Sequence, residues 1–207
     1  MEPRKGLYAR FGKRALDATL AAVLLVLLGP VLLGAMAFVR WRSPGPVLFR
    51  QKRVGEGMRP FPILKLRTMH LDAERTGTGS VTIQGDPRLY RGAATLRATK
   101  IDEMPQLLNI LRGEMSFVGP RPTVMEDYDR MTPAQRRRSD VPPGLTGLAQ
   151  VNGGTALSWP QRIELDLTYI HRLSLATDLK LLARTAWLVL SRRVDTHPAT
   201  ADEWSQQ

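Results

Sequence analysis

Residues 20–39 read Leu-Ala-Ala-Val-Leu-Leu-Val-Leu-Leu-Gly-Pro-Val-Leu-Leu-Gly-Ala-Met-Ala-Phe-Val, without a single charged side chain. About twenty apolar residues are what a helix needs to reach across the roughly 30 Å hydrocarbon core of a bilayer. Four fates fit such a run: a cleaved signal peptide, a membrane span, a helix that enters and leaves the same leaflet, or a buried core helix. No small-x-small cleavage site follows; the next residues are Arg40-Trp41-Arg42. Gly29-Pro30 falls mid-run, where proline removes a backbone hydrogen bond and kinks a helix. Asp17 lies just inside the apolar boundary, and both flanks are basic, with Arg10, Lys13 and Arg14 before and Arg40 and Arg42 after. Basic flanks tend to stay on the cytoplasmic side. A broken, re-entrant helix satisfies the proline, the aspartate and the flanks together.

The rest of the chain must work beside that segment. Its 207 residues suit one globular domain plus an appendage. With 43% apolar residues the chain is not disordered, and a net charge of +11 asks for an anionic partner: nucleic acid, anionic lipid or a phosphorylated substrate. There is no cysteine, which excludes disulfides, thiolate catalysis and cysteine zinc sites and fits a reducing cytosol. Three scattered histidines, His70, His171 and His197, point any metal towards oxygen ligands.

Ser43-Pro44-Gly45-Pro46 is a turn that ends the apolar element. Residues 47–51 and 61–67 read as short strands joined through Gly55-Glu56-Gly57 as a hairpin. Residues 72–95, rich in Gly and Thr, read as a loop or lid. Residues 97–111 carry Ile101, Met104, Leu107, Leu108 and Leu111 at helical spacing, with a restart at Pro105. Thr132-Pro133 opens a short helix to Ser139, and residues 142–154 read as loop. Residues 159–173 and 178–191 are amphipathic helices; the second suits either a membrane interface or packing on the core. Residues 195–207 read as a tail. The expected class is therefore α+β, mostly α. It has a re-entrant helix-break-helix membrane element over 1–42, a small cytosolic catalytic domain over 43–194 with a β-hairpin and interfacial amphipathic helices, and the tail.

The chemistry concentrates between Lys100 and Pro122. Asp102-Glu103 is followed by Pro105, and Gly119-Pro120-Arg121-Pro122 makes a stiff basic turn. Adjacent acids on a helix are usually a solvated face. Here they sit among core-type residues, beside Arg97, Lys100 and Arg121, near a helix break. A carboxylate can attack phosphorus as a nucleophile, given a divalent cation and basic residues to offset the charge of the transferring group. Magnesium suits such a site, with one or two carboxylates and substrate phosphates as ligands. Arg97 and Arg121 fit as phosphate clamps, and Lys65, at the end of a predicted strand, as a third cation. The glycines and amides of residues 144–153, including Gln150 and Asn152, are groups suited to a nucleobase or ribose. No P-loop and no G-x-G-x-x-G fingerprint is present.

The chain resembles the bacterial sugar transferases, the monotopic phosphoglycosyl transferases that act on polyprenyl phosphate. The resemblance runs over roughly residues 10–193. It is carried by Lys13-Arg14-Ala15-Leu16-Asp17, Gly45-Pro46-Val47 through Arg53-Val54-Gly55, and Lys65-Leu66-Arg67-Thr68-Met69. It continues through Ile101-Asp102-Glu103-Met104-Pro105-Gln106-Leu107-Leu108-Asn109, residues 115–122, Pro143-Gly144-Leu145-Thr146-Gly147 and Ala149-Gln150-Val151-Asn152-Gly153. It implies transfer of a phosphosugar from a UDP-sugar to undecaprenyl phosphate with release of UMP, by ping-pong kinetics through a covalent intermediate on Asp102. Glu103 would help to place magnesium or handle a proton, so that both carboxylates are candidate metal ligands. Lys65, Arg97 and Arg121 match phosphate-facing positions. The resemblance also implies a re-entrant helix in the cytoplasmic leaflet of the bacterial inner membrane, broken at Gly29-Pro30. Its partners would be membrane lipids and the two substrates, without nucleic acid, and an oligomer is left open.

Pro142, Leu148 and Gly154 depart from the arginine, tryptophan and arginine frequent in the family, which bears on the identity of the sugar. Larger relatives add transmembrane helices and a further domain, so the expectation is a minimal catalytic form. The competing readings are a membrane-anchored module that binds anionic ligands and a scaffold for a glycan-assembly complex; neither gives Asp102-Glu103 a task.

Overall fold

In the computed structural model, residues 6–71, 73 and 86–191 are described. Most of the predicted lid, 72–95, and all of the tail lie outside them, and so do Arg192, Arg193 and His197. The architecture is mostly helical, with two small two-stranded sheets.

A short π-helical turn, Tyr8–Gly12, leads into helix α1, Lys13–Arg42. The sequence predicts a break at Gly29-Pro30; instead the helix continues through Pro30 as one element. Proline costs the helix a hydrogen bond and a clash one turn back, which bends a helix without having to end it, and its fixed φ remains helical. The helix is held at both ends by the same body. Near its start, Arg14 donates to the carbonyls of Ile110 and Leu111 at 2.6 Å each, and Ala21 is fully buried among Phe61, Ile110, Phe117 and Tyr169. Near its end, Ala35 and Val39 pack with Leu66, Tyr90, Ala93 and Leu96. Between these anchors Val26 is 77% exposed and Leu27 67%. With the π-helical turn, this is the one helix among the described residues long and apolar enough to cross a membrane.

The turn after α1 is clamped by the buried Arg67, whose guanidinium donates to the carbonyls of Ser43 and Pro44. Strands β1 (Leu48–Val54) and β2 (Pro60–Leu66) form the expected antiparallel hairpin, with β1 running three residues beyond its predicted end. The helix predicted over 97–111 restarts at Pro105 as expected, with α3 (Gln106–Arg112) following it, but is broken earlier as well: α2 (Ala93–Ala98) ends and a 3-10 turn, Ile101–Glu103, comes between. Lys100 adopts φ +59°, which no α-helix accommodates, so the chain turns sharply before restarting.

Residues 142–154 are not loop alone. Strand β4 (Gly144–Thr146) pairs in parallel with β3 (Ser116–Val118), and α6 (Leu148–Val151) follows. The alternation signal fails in three-residue strands buried on every side. What specifies the pairing is glycine: a Cβ on Gly144 would lie 2.1 Å from the Gly119 nitrogen. Helices α4 (Met125–Asp129) and α5 (Pro133–Arg136) lie between the sheets' strands in sequence, and α5 opens on the capping box of Thr132 and Gln135. Helices α7 (Trp159–His171) and α8 (Leu175–Leu190) close the domain. Helix α8 packs on the core through Leu181, as one of the two readings expects, and leaves Leu179, Trp187 and Leu190 exposed.

The N-terminal end of α1 is stitched to this domain through a buried polar hub. Lys13 pairs with Asp178 at 2.7 Å, Tyr8 donates to the same oxygen at 2.7 Å, and Tyr169 lies 2.8 Å from the other. Asp17, the charge inside the apolar boundary, accepts from the Phe117 backbone N–H.

Candidate active site

The site is built where β2, the 3-10 turn and the turn after β3 meet. Asn109 of α3, fully buried, sets their spacing: its Oδ1 accepts from Leu64 N–H at 3.0 Å and its Nδ2 donates to the Pro62 carbonyl at 2.9 Å. This locks α3 onto β2 and puts Lys65, the next residue of the strand, against the start of that helical region. Lys65 Nζ lies 2.9 Å from Glu103 Oε1, and Arg121 Nη2 lies 3.7 Å from the same oxygen. Arg121 is brought there by its backbone: Arg138, held by Asp166 at 2.5 Å, donates to the Arg121 carbonyl at 2.9 Å.

The two carboxylates are shifted in opposite directions. Glu103 is pushed up by burial, but Lys65, Arg121 and Lys100 outweigh that and hold its carboxyl well below the usual range. Burial pulls the Lys65 ammonium down against the Glu103 ion pair. Asp102 is only 6% exposed; neither of its oxygens accepts a hydrogen bond among the described residues, and Oδ1 is completely buried. Burial, then the Glu103 charge, raise its pKa to about 6, with Lys65, Arg97 and Lys100 pulling the other way. A buried, unpartnered anion beside a second anion is a costly arrangement. The left-handed Lys100, a non-glycine residue two positions before Asp102, adds backbone strain at the same place.

Four of the residues singled out in the sequence therefore gather in contact or in electrostatic range: Asp102, Glu103, Lys65 and Arg121. Arg97 joins them through its charge on Asp102 and donates to Thr68 Oγ1 at 3.3 Å. Gln150 and Asn152 are not joined to this cluster by any hydrogen bond. Gln150 is tucked beside Gly147 with both amide atoms buried and unpartnered, and Asn152 is exposed and donates to Leu148 O at 2.8 Å. Sequence reasoning missed Asn109, Arg138 and Asp166. Nothing in local sequence marks them, because each acts on a segment at least seventeen residues away.

Among the described residues no group of three or more acidic or histidine side chains is placed to hold a metal ion. The pair fits a cation that takes most of its ligands from substrate and water. Asp102 Oδ1 lacks a partner, and Glu103 uses one oxygen for Lys65 and Arg121 while the other accepts no hydrogen bond among the described residues.

The sequence model of the family described as bacterial sugar transferase matches residues 8–192. The chain is 48% identical over 181 residues to a UDP-glucose:undecaprenyl-phosphate glucose-1-phosphate transferase of Caulobacter vibrioides, covering 84% of this chain and 67% of that protein. It is 42% identical to the uncharacterized sugar transferase EpsL of Bacillus subtilis, covering 86% and 87%. It is 38% identical to a UDP-N-acetylgalactosamine-undecaprenyl-phosphate N-acetylgalactosaminephosphotransferase of Aeromonas hydrophila, of which it spans 44%.

Proposed function

The chain belongs to the bacterial sugar transferase family, and from that premise we propose that it is a phosphoglycosyl transferase, moving a phosphosugar from a UDP-sugar to undecaprenyl phosphate and releasing UMP. The observation that carries this reading is Asp102, a buried carboxylate with no hydrogen-bond partner among the described residues, set among cations. An anion so placed is stabilised less by its surroundings than a solvated one, and so is the better nucleophile.

In the first half-reaction Asp102 attacks the sugar-linked phosphorus. An Asp102–phosphorus bond forms, the bond to the UMP oxygen breaks, and UMP leaves with that electron pair. In the second, a phosphate oxygen of undecaprenyl phosphate attacks the same phosphorus, restoring the Asp102 carboxylate and giving polyprenyl-diphosphate-sugar. The two substrates never need to be bound together, so the kinetics are ping-pong. Lys65 and Arg121 fix Glu103 and, with Arg97, balance the charge of the donor phosphates. A magnesium ion held by Asp102, Glu103 and the donor phosphates would supply further charge neutralisation. Gln150, with both amide atoms unpartnered, is the remaining candidate for contact with the nucleotide or sugar, and Asn152 the weaker one.

The membrane element supports a monotopic arrangement in the cytoplasmic leaflet. A 30-residue helix is about 45 Å long and a straight span separates its ends across the bilayer. Here residues near both ends dock on one domain, while one face of the helix, including Val26, Leu27, Val31 and Leu33 between the docked residues, is exposed. A continuous helix bent at Pro30, rather than broken there, that dips into one leaflet and returns would satisfy that docking and bring the site to the surface where a lipid-borne phosphate and a soluble nucleotide-sugar meet. The reaction would serve the first membrane step of a bacterial glycan.

The test is UMP release by nanodisc-held protein from a panel of UDP-sugars, with and without undecaprenyl phosphate and magnesium, beside Asp102→Asn. Lipid- and magnesium-dependent release lost in the variant is the expected outcome and names the sugar. Release that persists in Asp102→Asn, or release from none of the sugars, overturns the reading.

A further inference from the structure

Arg53, near the end of β1, has no part in the reaction as described. Its Nη2 donates to Gln51 Oε1 at 2.6 Å and its Nη1 to the Pro122 carbonyl at 3.3 Å, while its Nε is buried without a partner. Among the described residues no carboxylate forms an ion pair with it. Of the charged groups that act on it, Arg121 comes first, ahead of Asp127 and Glu126. Burial, then Arg121, lower its pKa to about 10, with Asp127 and Glu126 of α4 offsetting only part of this.

A purely structural tie between the hairpin and the Pro120–Pro122 turn would not require a second guanidinium beside the first. Two like charges, partly stripped of water, repel. The backbone holds them together nonetheless: Arg53 is bonded to the turn that carries Arg121, and Val54 N–H donates to the Thr123 carbonyl at 2.9 Å. Such a pair becomes favourable when an anion joins it, and guanidinium forks match phosphate oxygens. Beside it lies a small cleft lined by Val54, Gly55, Pro120, Arg121, Thr123 and Tyr128, among others. The cations that act on Asp102 and Glu103 are Lys65, Arg97, Lys100 and Arg121; of these, the one coupled to Arg53 is Arg121, which puts Arg53 one step further out.

We propose that Arg53 and Arg121 together clamp the second phosphate of the nucleotide-sugar, the one that departs with the nucleoside, at the mouth of this cleft. This rests on the transfer reaction proposed above. In it, Lys65 and Arg121 attend the phosphorus that Asp102 attacks, and Arg121 and Arg53 attend the leaving phosphate. Arg121 bridges the two, and Arg53 binds substrate and product rather than positioning another residue.

The experiment measures UMP binding by calorimetry to the full chain in phosphatidylglycerol-containing nanodiscs with magnesium, for wild type, Arg53→Gln and Arg53→Lys, with uridine as the probe lacking phosphate. UMP affinity is expected to fall about tenfold to a hundredfold in Arg53→Gln, the worth of a charge-assisted hydrogen bond, and less in Arg53→Lys, with uridine binding unchanged. UMP affinity equal to wild type in either folded variant overturns the clamp. Should Arg53→Gln fail to fold, Arg53→Lys, which keeps charge and stem but loses the fork, decides alone. A second arm measures KM for polyprenyl phosphate; a rise there with unchanged UMP binding assigns the phosphate to the acceptor and overturns the donor clamp. Wild-type UMP release from UDP-sugars reports separately on the transfer reaction. Its absence alongside weakened UMP binding in the variants sinks that reaction and leaves the clamp standing.

Discussion

Asp178 lies against the start of α1, 2% exposed, with both oxygens in use: one takes Lys13 and Tyr8, the other lies within hydrogen-bond distance of Tyr169. Asp102 lies in the 3-10 turn, 6% exposed, with neither oxygen hydrogen-bonded among the described residues and a second carboxylate as its neighbour. Residue type and burial are nearly the same, and the consequences are opposite. At Asp178 the cation and hydroxyls offset the cost of desolvation, so the group locks α1, α7 and α8 together. At Asp102 the cost is left standing, which is what a nucleophile requires and a structural residue avoids.

The largest effect expected from breaking this contrast is at Asp102 itself. Asp102→Asn should lower UMP release at least roughly a thousandfold and at the same time stabilise the fold. An acid raised from 3.8 to about 6 costs the folded state little well below pH 3.8, where it is protonated folded or unfolded, and its full penalty only well above pH 6. The difference is on the order of 3 kcal/mol. Thermal unfolding without divalent cations should therefore favour the variant at pH 7.5 and not at pH 3.5; a variant less stable than wild type at pH 7.5 would mean that Asp102 has a partner of its own.

Asp178→Ala should do the reverse. Leaving Lys13 buried and unpaired costs roughly 3–5 kcal/mol, and replacing both by apolar residues, Lys13→Met with Asp178→Leu, should recover most of it. Activity per folded molecule should be unchanged in the double variant. If it falls with stability restored, the hub belongs to the site and the contrast between the two aspartates fails.

The pH profile sharpens the comparison more gently. In the proposed reaction Asp102 attacks as a carboxylate, so kcat/KM for the UDP-sugar should fall about tenfold per unit below about pH 6. A cation beside the carboxylate favours its charged form, so saturating magnesium should move the inflection to lower pH. An inflection that ignores magnesium would separate the ion from Asp102.

The contrast also explains what the sequence could disclose. The apolar run, the hairpin, the short helix opened by Thr132-Pro133 and the two C-terminal helices follow from periodicity and turn chemistry, and the structure has them. Asp102, Glu103, Lys65 and Arg121 were visible as acids and bases near a proline, and they do converge. The interruption at Lys100 was not visible, since helical spacing continues across it and only the left-handed backbone reveals the break. The pairing of β3 with β4 was hidden because three-residue strands carry no alternation and their specification is the absence of side chains at Gly119 and Gly144. Asp178 read as one more charge on an amphipathic helix. Its partners, Tyr8 and Lys13, lie 170 and 165 residues away, a distance at which no local pattern speaks.

Arg138 stands between the two classes and tests how sharp their boundary is. Its ion pair with Asp166 is as buried as the hub, yet its Nη2 also donates to the backbone carbonyl of Arg121. Lysine in its place keeps the charge for Asp166 but lacks the planar fork that serves both acceptors at once. If Arg138 only supports the core, Arg138→Lys should lower stability and leave kcat and KM alone. If it also aims Arg121, the donor KM should rise several-fold, the consequence of a clamp displaced by a fraction of an ångström, while the acceptor KM stays put. We expect the second outcome. The carbonyl that Arg138 holds belongs to Arg121, whose side chain, with that of Lys65, reaches Glu103, so in the proposed reaction the same bond that packs the domain would fix where the phosphate is met.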